Sequence, residues 1–246
     1  MPETTPELLV VMPIFNEEAS VAKVLGDWFA EMEKTVENFL ILAVDDGSTD
    51  QTPAILRRLR SEFGPRLEVI SRPNKGHGQT CLEGYRLACS RQIPYILQID
   101  SDGQCDPAYF GGFWDRRETF DVIYGSRTRE DGFRRIIASR FLKTMLSGLF
   151  GVTCVDPNVP YRLMRTDACC PAFERIPADF ALANVALAFV LRKDPQIRHG
   201  DVPIRFRERY GGEPSVPFSK FAVKAIELFR QLQKLEVADR ISPEAR

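Results

Sequence analysis

Asp100 and Asp102 stand one residue apart in IDSDGQCDP (99–107), just after the apolar run Tyr95-Ile96-Leu97. Two carboxylates displayed at the end of a buried strand suit a hard divalent cation such as Mg2+ or Mn2+, which takes oxygen ligands and shares them with substrate phosphates. Gln104 adds a carbonyl oxygen to the same set. In isolation the stretch reads more often as a turn, because Asp and Gly are common loop residues. An EF-hand fails on spacing. A loop begun at Asp100 has Cys105 where glycine is needed and Gly111 where glutamate is needed, and one begun at Asp46 has Gln51 and Arg57. A DxDG stretch also occurs in phosphotransferases of the haloacid dehalogenase kind, but no later paired-aspartate motif completes their metal site. Gly76-His77-Gly78 lacks the last glycine of a dinucleotide fingerprint, and no GxxxxGK phosphate loop is present.

Such a cluster needs strands that end side by side. LLVVM (8–12) is a continuous apolar run that stops at Pro13, as a buried parallel strand does. Val21, Val24, Leu25, Trp28, Phe29 and Met32 then recur on one helical face, with Glu17 and Glu18 near its positive end. FLILAV (39–44) is the next strand, followed by a helix that Thr52-Pro53 can start. LEVIS (67–71) and a helix from about Gln79 to Arg91 repeat the unit; YILQI (95–99), a helix through Tyr109 to Glu118 and DVIYG (121–125) follow. This alternation predicts an α/β fold: a doubly wound, mostly parallel sheet with helices on both faces and a site at the carboxyl ends of the strands. Asn16 and Glu17, Asp45 and Asp46, Asn74 to Gly78, and Asp100 with Asp102 all fall at such ends. Asp106, before Pro107, reads as a helix cap.

Beyond residue 150 the pattern is less regular, with a helix near 179–193. The segment 217–236 carries Phe221, Ala225, Leu228, Phe229, Leu232 and Leu235 on one helical face, with Lys220, Lys224, Arg230 and Lys234 around it. The chain divides accordingly into a catalytic domain, 1–212, and an amphipathic C-terminal helix and tail, 213–246. That helix can lie on an anionic membrane surface, pack on the domain or meet a second copy.

Composition narrows the partners. Of 246 residues 33 are Lys or Arg and 34 Asp or Glu, so no global field favours nucleic acid, and none is expected as a partner. The six cysteines form no CxxC pair and no zinc spacing with His77 or His199. Together with the absence of a signal peptide they predict buried free thiols in a reducing cytoplasm. No apolar run reaches the length of roughly eighteen residues that spans a bilayer.

VMPIFNEE (11–18), VDDGSTD (44–50), NKGHGQT (74–80), IDSDGQCDP and YGSR (124–127), in this order, resemble the motif series of inverting, nucleotide-sugar-dependent glycosyltransferases with a GT-A fold. DPNVPYRLMR (156–165) and VPIRFRERYGG (202–212) extend the likeness to the polyprenyl-phosphate sugar transferases, the group of dolichol-phosphate mannose synthase. The resemblance implies that Pro13, Phe15, Glu17, Asp45, Asp46, Asn74, Gly76, Ser101 and Arg209 bind the nucleotide sugar. For the acids among them the competing reading is loop and helix capping. It implies further that Asp100, Asp102 and Gln104 hold Mg2+ or Mn2+, that Asp100, Asp102 and Arg127 carry the chemistry, and that Arg135 and Ser139 bind the acceptor phosphate. Arg129, Arg134 and Arg140 complete a basic stretch there.

The expected reaction moves a sugar from a nucleoside-diphosphate sugar, such as GDP-mannose or a UDP-sugar, to a polyprenyl phosphate at the inner face of the membrane. A hydroxyl acceptor and a non-catalytic nucleotide-sugar binder are the alternatives. Departures from the family pattern bear on the choice. Asn184 stands where relatives acting on hydroxyls carry a carboxylate, with Asp179 the nearest substitute; Ser215-Val216 replaces their serine-lysine pair, and Val159-Pro160-Tyr161-Arg162 their Gly-Phe-Arg. Asparagine takes no proton, so this site either needs no base or finds one elsewhere.

Overall fold

The run Leu8–Ile14 forms β1, buried at every residue, and leads into α1 (Val21–Thr35). The helix buries Val21, Val24, Leu25, Trp28, Phe29 and Met32, the six residues its periodicity selects. Two more units follow: β2 (Phe39–Asp45) with α2 (Thr52–Phe63), then β3 (Leu67–Ser71) with α3 (His77–Ser90). β4 (Tyr95–Gln98), a 3-10 turn (Pro107–Tyr109), α4 (Phe110–Trp114) and β5 (Val122–Arg127) come next. Last are β6 (Arg162–Arg165), α5 (Thr166–Arg175), α6 (Ala183–Lys193) and β7 (His199–Ile204). The computed structural model describes residues 5–127, 144, 146–154, 156–177, 180, 182–210 and 227–236. α4 stops short of the expected Glu118, since Gly111 and Gly112 inside it are poor helix formers.

The sheet has seven strands in the order β3-β2-β1-β4-β6-β5-β7. Neighbours are parallel except at β6, which runs antiparallel between β4 and β5. α1 packs with α2 and α4, whereas α3 packs with α5 and α6, giving two helical layers. Because β6 is reversed, its first residue, Arg162, lies level with Gln98, the last residue of β4, and with Tyr124 on β5. Residues from the DPNVPYR stretch are thereby brought beside the Asp100 loop.

Cys89 and Cys170 form a disulfide between α3 and α5, so the expectation of free thiols does not hold for this pair. Their Cα atoms are 6.0 Å apart across two packed helices while 81 positions separate them in the chain, a pairing that spacing does not disclose. Cys81, Cys105 and Cys169 are buried thiols, as expected. At the other end of the chain, residues 227–236 are helical, with Leu228 and Leu232 fully buried, Phe229 against Phe150, and Lys193 Nζ 2.7 Å from Glu236. For these turns, packing on the domain is the placement realised; the first half of that segment lies outside the described residues. Among the described residues no helix is long and apolar enough to cross a membrane.

Asp121 ties β5 to β6 and β7. Its buried carboxylate takes Arg198 Nη2 at 2.8 Å and Arg165 Nη1 at 2.9 Å, and the Arg198 hydrogen bonds, partly opposed by burial, lower its pKa. A depressed carboxyl pKa gives stability that is present above the unfolded value, near 4, and lost as pH falls through the folded one. Asp121→Asn is therefore expected to cost roughly 2 kcal/mol at pH 7, discounted for the exposed arginines, and to flatten the acid limb of a pH series of thermal melts. An unchanged acid limb would remove Asp121 as its source.

Candidate active site

The ends of β1 and β2 are laced together. Asn16 is left-handed (φ 54), a conformation asparagine tolerates; its N–H donates to Ser48 Oγ at 2.9 Å and its Oδ1 accepts from Thr49 N at 2.8 Å. Glu17 N–H donates to Thr52 Oγ1 at 2.9 Å, and Asp45 Oδ1 accepts from Ser48 N at 3.0 Å. Asp46 is buried; it accepts from Lys75 N at 2.8 Å and Gly76 N at 2.9 Å and pairs with the Arg72 guanidinium. Both aspartates thus tie loops. Gly47 (φ 80) is needed where these loops touch, since a Cβ there would lie 2.8 Å from Asn74 N. Asn74 is exposed and Gly76 left-handed (φ 91), while Phe15 is 44% exposed although Ile14 before it is buried.

The loop after β4 is anchored on β1. Ser101 Oγ donates to Pro13 O at 2.9 Å, and Ser20 Oγ reaches Ser101 O at 3.2 Å and Glu17 Oε2 at 2.6 Å. Asp100 Oδ1 lies 2.9 Å from His77 Nε2. Cys81 Sγ and that carboxylate flank the imidazole and push its pKa well above the ordinary histidine value. Asp102 Oδ1 accepts from Gln104 N at 3.0 Å, which shapes the turn. Asp106 caps the following 3-10 turn through Ala108 N at 2.9 Å, as expected, and meets Arg207 at 2.6 Å.

A segment from beyond β7 closes over this loop. Arg207 N–H donates to Gln104 O at 3.0 Å and Tyr210 N–H to Asp102 O at 3.1 Å. Arg209 Nη2 then reaches Glu17 Oε1 at 2.7 Å. Burial raises the Glu17 pKa, with Ser20 and Arg209 pulling the other way. Gly103 (φ 82) lies under the Tyr210 ring, where a Cβ would stand 2.4 Å from Cδ2. Gly103→Ala is consequently expected to cost about 1–3 kcal/mol and to lift this segment, weakening binding of a nucleoside diphosphate; calorimetry against wild type reads both. Unaltered binding would separate the segment from the site.

The profile of Glycosyl transferase family 2 matches residues 9–167. The chain belongs to this family. It is 30% identical over 216 residues to the uncharacterized glycosyltransferase YkcC of Bacillus subtilis (strain 168), covering 86% of this chain and 64% of that protein. It is 28% identical over 171 residues to the polyprenol monophosphomannose synthase of Mycolicibacterium smegmatis, covering 66% of this chain and 63% of the synthase. The chain thus spans a little under two thirds of the length of these relatives. Among solved structures, glucosyl-3-phosphoglycerate synthase from Mycobacterium tuberculosis, in complex with Mn2+, UDP and phosphoglyceric acid, superposes with a TM-score of 0.66 at 17% identity, covering 94% of this chain and 78% of that one. At that identity the likeness establishes the fold, which is the GT-A arrangement expected from the motifs.

In this family 2 protein the strand-end residues Pro13, Glu17, Ser101 and Asp102 and the distant Arg209 form one cluster. Asp45, Asp46, Asn74 and Gly76 form the adjoining one. Arg127 ends β5 opposite Ile204. Arg135 and Ser139 lie outside the described residues, as do Arg129, Arg134, Arg140 and Asp179. Several participants escaped the sequence reading. His77 had no visible partner in the chain, and Arg72 and Ser20 carry no motif that sets them apart from surface residues. NKGHGQT, which placed His77 among the strand-end residues, and VPIRFRERYGG, which contains Arg207 and Tyr210, offered the signals.

Asp100, Asp102 and Gln104 are all hard oxygen donors, and among the described residues no cluster of three or more His, Cys, Asp or Glu side chains is present. Two carboxylates fit a cation that draws its remaining ligands from a diphosphate rather than from a closed protein cage.

Proposed function

We propose that this chain transfers a sugar, with inversion, from a nucleoside-diphosphate sugar to a polyprenyl phosphate. The observation that carries the reading is the meeting of Arg209 and Glu17 with the Asp100–Asp102 loop, which sets an arginine and a carboxylate pair around one point at the carboxyl ends of β1 and β4. The names of the relatives support the acceptor: besides the polyprenol monophosphomannose synthase they include an undecaprenyl-phosphate 4-deoxy-4-formamido-L-arabinose transferase of Aeromonas hydrophila and a dodecaprenyl-phosphate galacturonate synthase of Rhizobium johnstonii.

Asp100, Asp102 and Gln104 would hold Mg2+ or Mn2+. Such an ion, when bound, offsets the negative charge that builds on the departing nucleoside diphosphate. Phe15 offers an exposed ring for the nucleobase, beside the loops tied by Asp45 and Asp46. Arg209 exchanges Glu17 for the diphosphate, and Arg127 approaches it from the end of β5. Arg135 and Ser139 take the acceptor phosphate. One of its oxygens, already anionic near neutral pH, bonds to the anomeric carbon while the bond from that carbon to the β-phosphate oxygen breaks, and the diphosphate leaves with the electron pair. No proton needs to be removed, which agrees with Asn184 at the start of α6. A lipid acceptor places the protein at the periphery of a membrane's inner face.

The test incubates the protein with a panel of nucleotide sugars, Mg2+ or Mn2+ and polyprenyl phosphate in detergent. Lipid-linked sugar is the expected product. Transfer to a hydroxyl acceptor instead, or tight donor binding without turnover, would overturn the reading.

A further inference from the structure

Arg162 is fully buried, yet no carboxylate pairs with it among the described residues. Its Nη2 makes three long hydrogen bonds, to Pro157 O at 3.3 Å and to Val159 O and Asn184 O at 3.4 Å. Among the described residues its Nε and Nη1 have no partner. Arg162 and Arg192 both sit over the Tyr124 ring, at 4.9 and 5.1 Å. Asn184, 5% exposed and in contact with Arg162 through its backbone carbonyl, has an unpartnered Oδ1. A buried, unneutralised cation is costly, and replacing such a charge with an apolar side chain of similar size is often neutral or stabilising. A protein that keeps it forgoes stability, which is the signature of a site serving function.

Its location says what that function is. Arg162 opens β6 and pairs in register with Gln98 and with Tyr124. Asp100 follows Gln98 by two residues, about 7 Å of strand. The three carbonyls it holds belong to the turn before β6 and the first turn of α6, both at the carboxyl end of the sheet, where Ala183 also abuts Gly78 in the first turn of α3. We infer that Arg162 is a positioning residue of the transfer: its buried charge, with no carboxylate paired to it among the described residues, lies under the point where the acceptor phosphate and the departing diphosphate both bring negative charge. The inference rests on the function proposed above. A unit charge about 10 Å away at an effective dielectric near 20 alters a rate by roughly ten-fold.

The experiment compares wild type, Arg162→Met, Arg162→Lys and Asn184→Asp for thermal midpoint and for kcat and KM with nucleotide sugar and polyprenyl phosphate. Arg162→Met is expected to keep or raise the melting midpoint, lower kcat about ten-fold and leave the donor KM unchanged, with Arg162→Lys recovering part of the rate. Asn184→Asp adds a carboxylate to the residue whose backbone carbonyl accepts from the guanidinium, so it is expected to raise the midpoint and lower kcat as well. It also serves if Arg162→Met fails to fold. Wild-type kcat in Arg162→Met or in Asn184→Asp overturns the inference while leaving the function intact. A wild-type protein that makes no lipid-linked product overturns the function first.

Discussion

Asp102→Ala is expected to lower sugar transfer by about 10³-fold and to abolish the dependence of nucleoside-diphosphate binding on Mn2+. The residue acts in two ways. Its carboxylate is one of two that fit a divalent cation, and its Oδ1 also takes the Gln104 N–H at 3.0 Å, so the substitution loosens the turn that presents Gln104. Its backbone carbonyl, by contrast, still receives Tyr210 N–H, and the closing segment stays in place. Titration calorimetry with UDP and GDP, with Mn2+ and with a chelator, separates these effects. Binding that remains Mn2+-dependent at wild-type affinity would exclude Asp102 as a ligand.

Cys89→Ser is expected to destabilise the oxidised protein by roughly 4 kcal/mol, because the lost bond closes a loop of 81 residues in the unfolded chain. For a chain of this size that corresponds to a fall of about 10 °C in the melting midpoint. The staple joins the end of α3 to α5, away from the end of α3 that carries His77. Stability rather than nucleotide binding should therefore respond. Melts with and without dithiothreitol give the same comparison without mutation, and identical midpoints would mean that the bond is not formed in solution.

Much of the frame was legible before any coordinates. The burial of α1 follows its periodicity residue by residue, and β1 and β2 follow their apolar runs, because both patterns are set by neighbours within a few positions. The cap at Asp106 was readable for the same reason, being a contact to Ala108 two residues away. The expected helix to Glu118 ends instead at Trp114, with Gly111 and Gly112 inside its single short span. The roles of Asp45 and Asp46 were only half visible. Their types marked them as loop-tying or ligand-binding, but Arg72, Lys75 and Gly76 emerge as the partners of Asp46 only once β3 lies against β2.

By itself the sequence determined the alternation of strands and helices, the placing of acids and glycines at strand ends, and a motif order shared with glycosyl transferase family 2. These are local or sequential properties, carried by side-chain period and by residue type. Tertiary structure alone decided that β6 enters the sheet reversed, that Asp100 meets His77, that Arg209 reaches Glu17 across 192 positions, and that Cys89 bonds to Cys170. It alone buried Arg162 with no carboxylate paired to it among the described residues. Each of those outcomes depends on which strand lies beside which, and that choice is made by the packing of the whole core and not by any window of the chain.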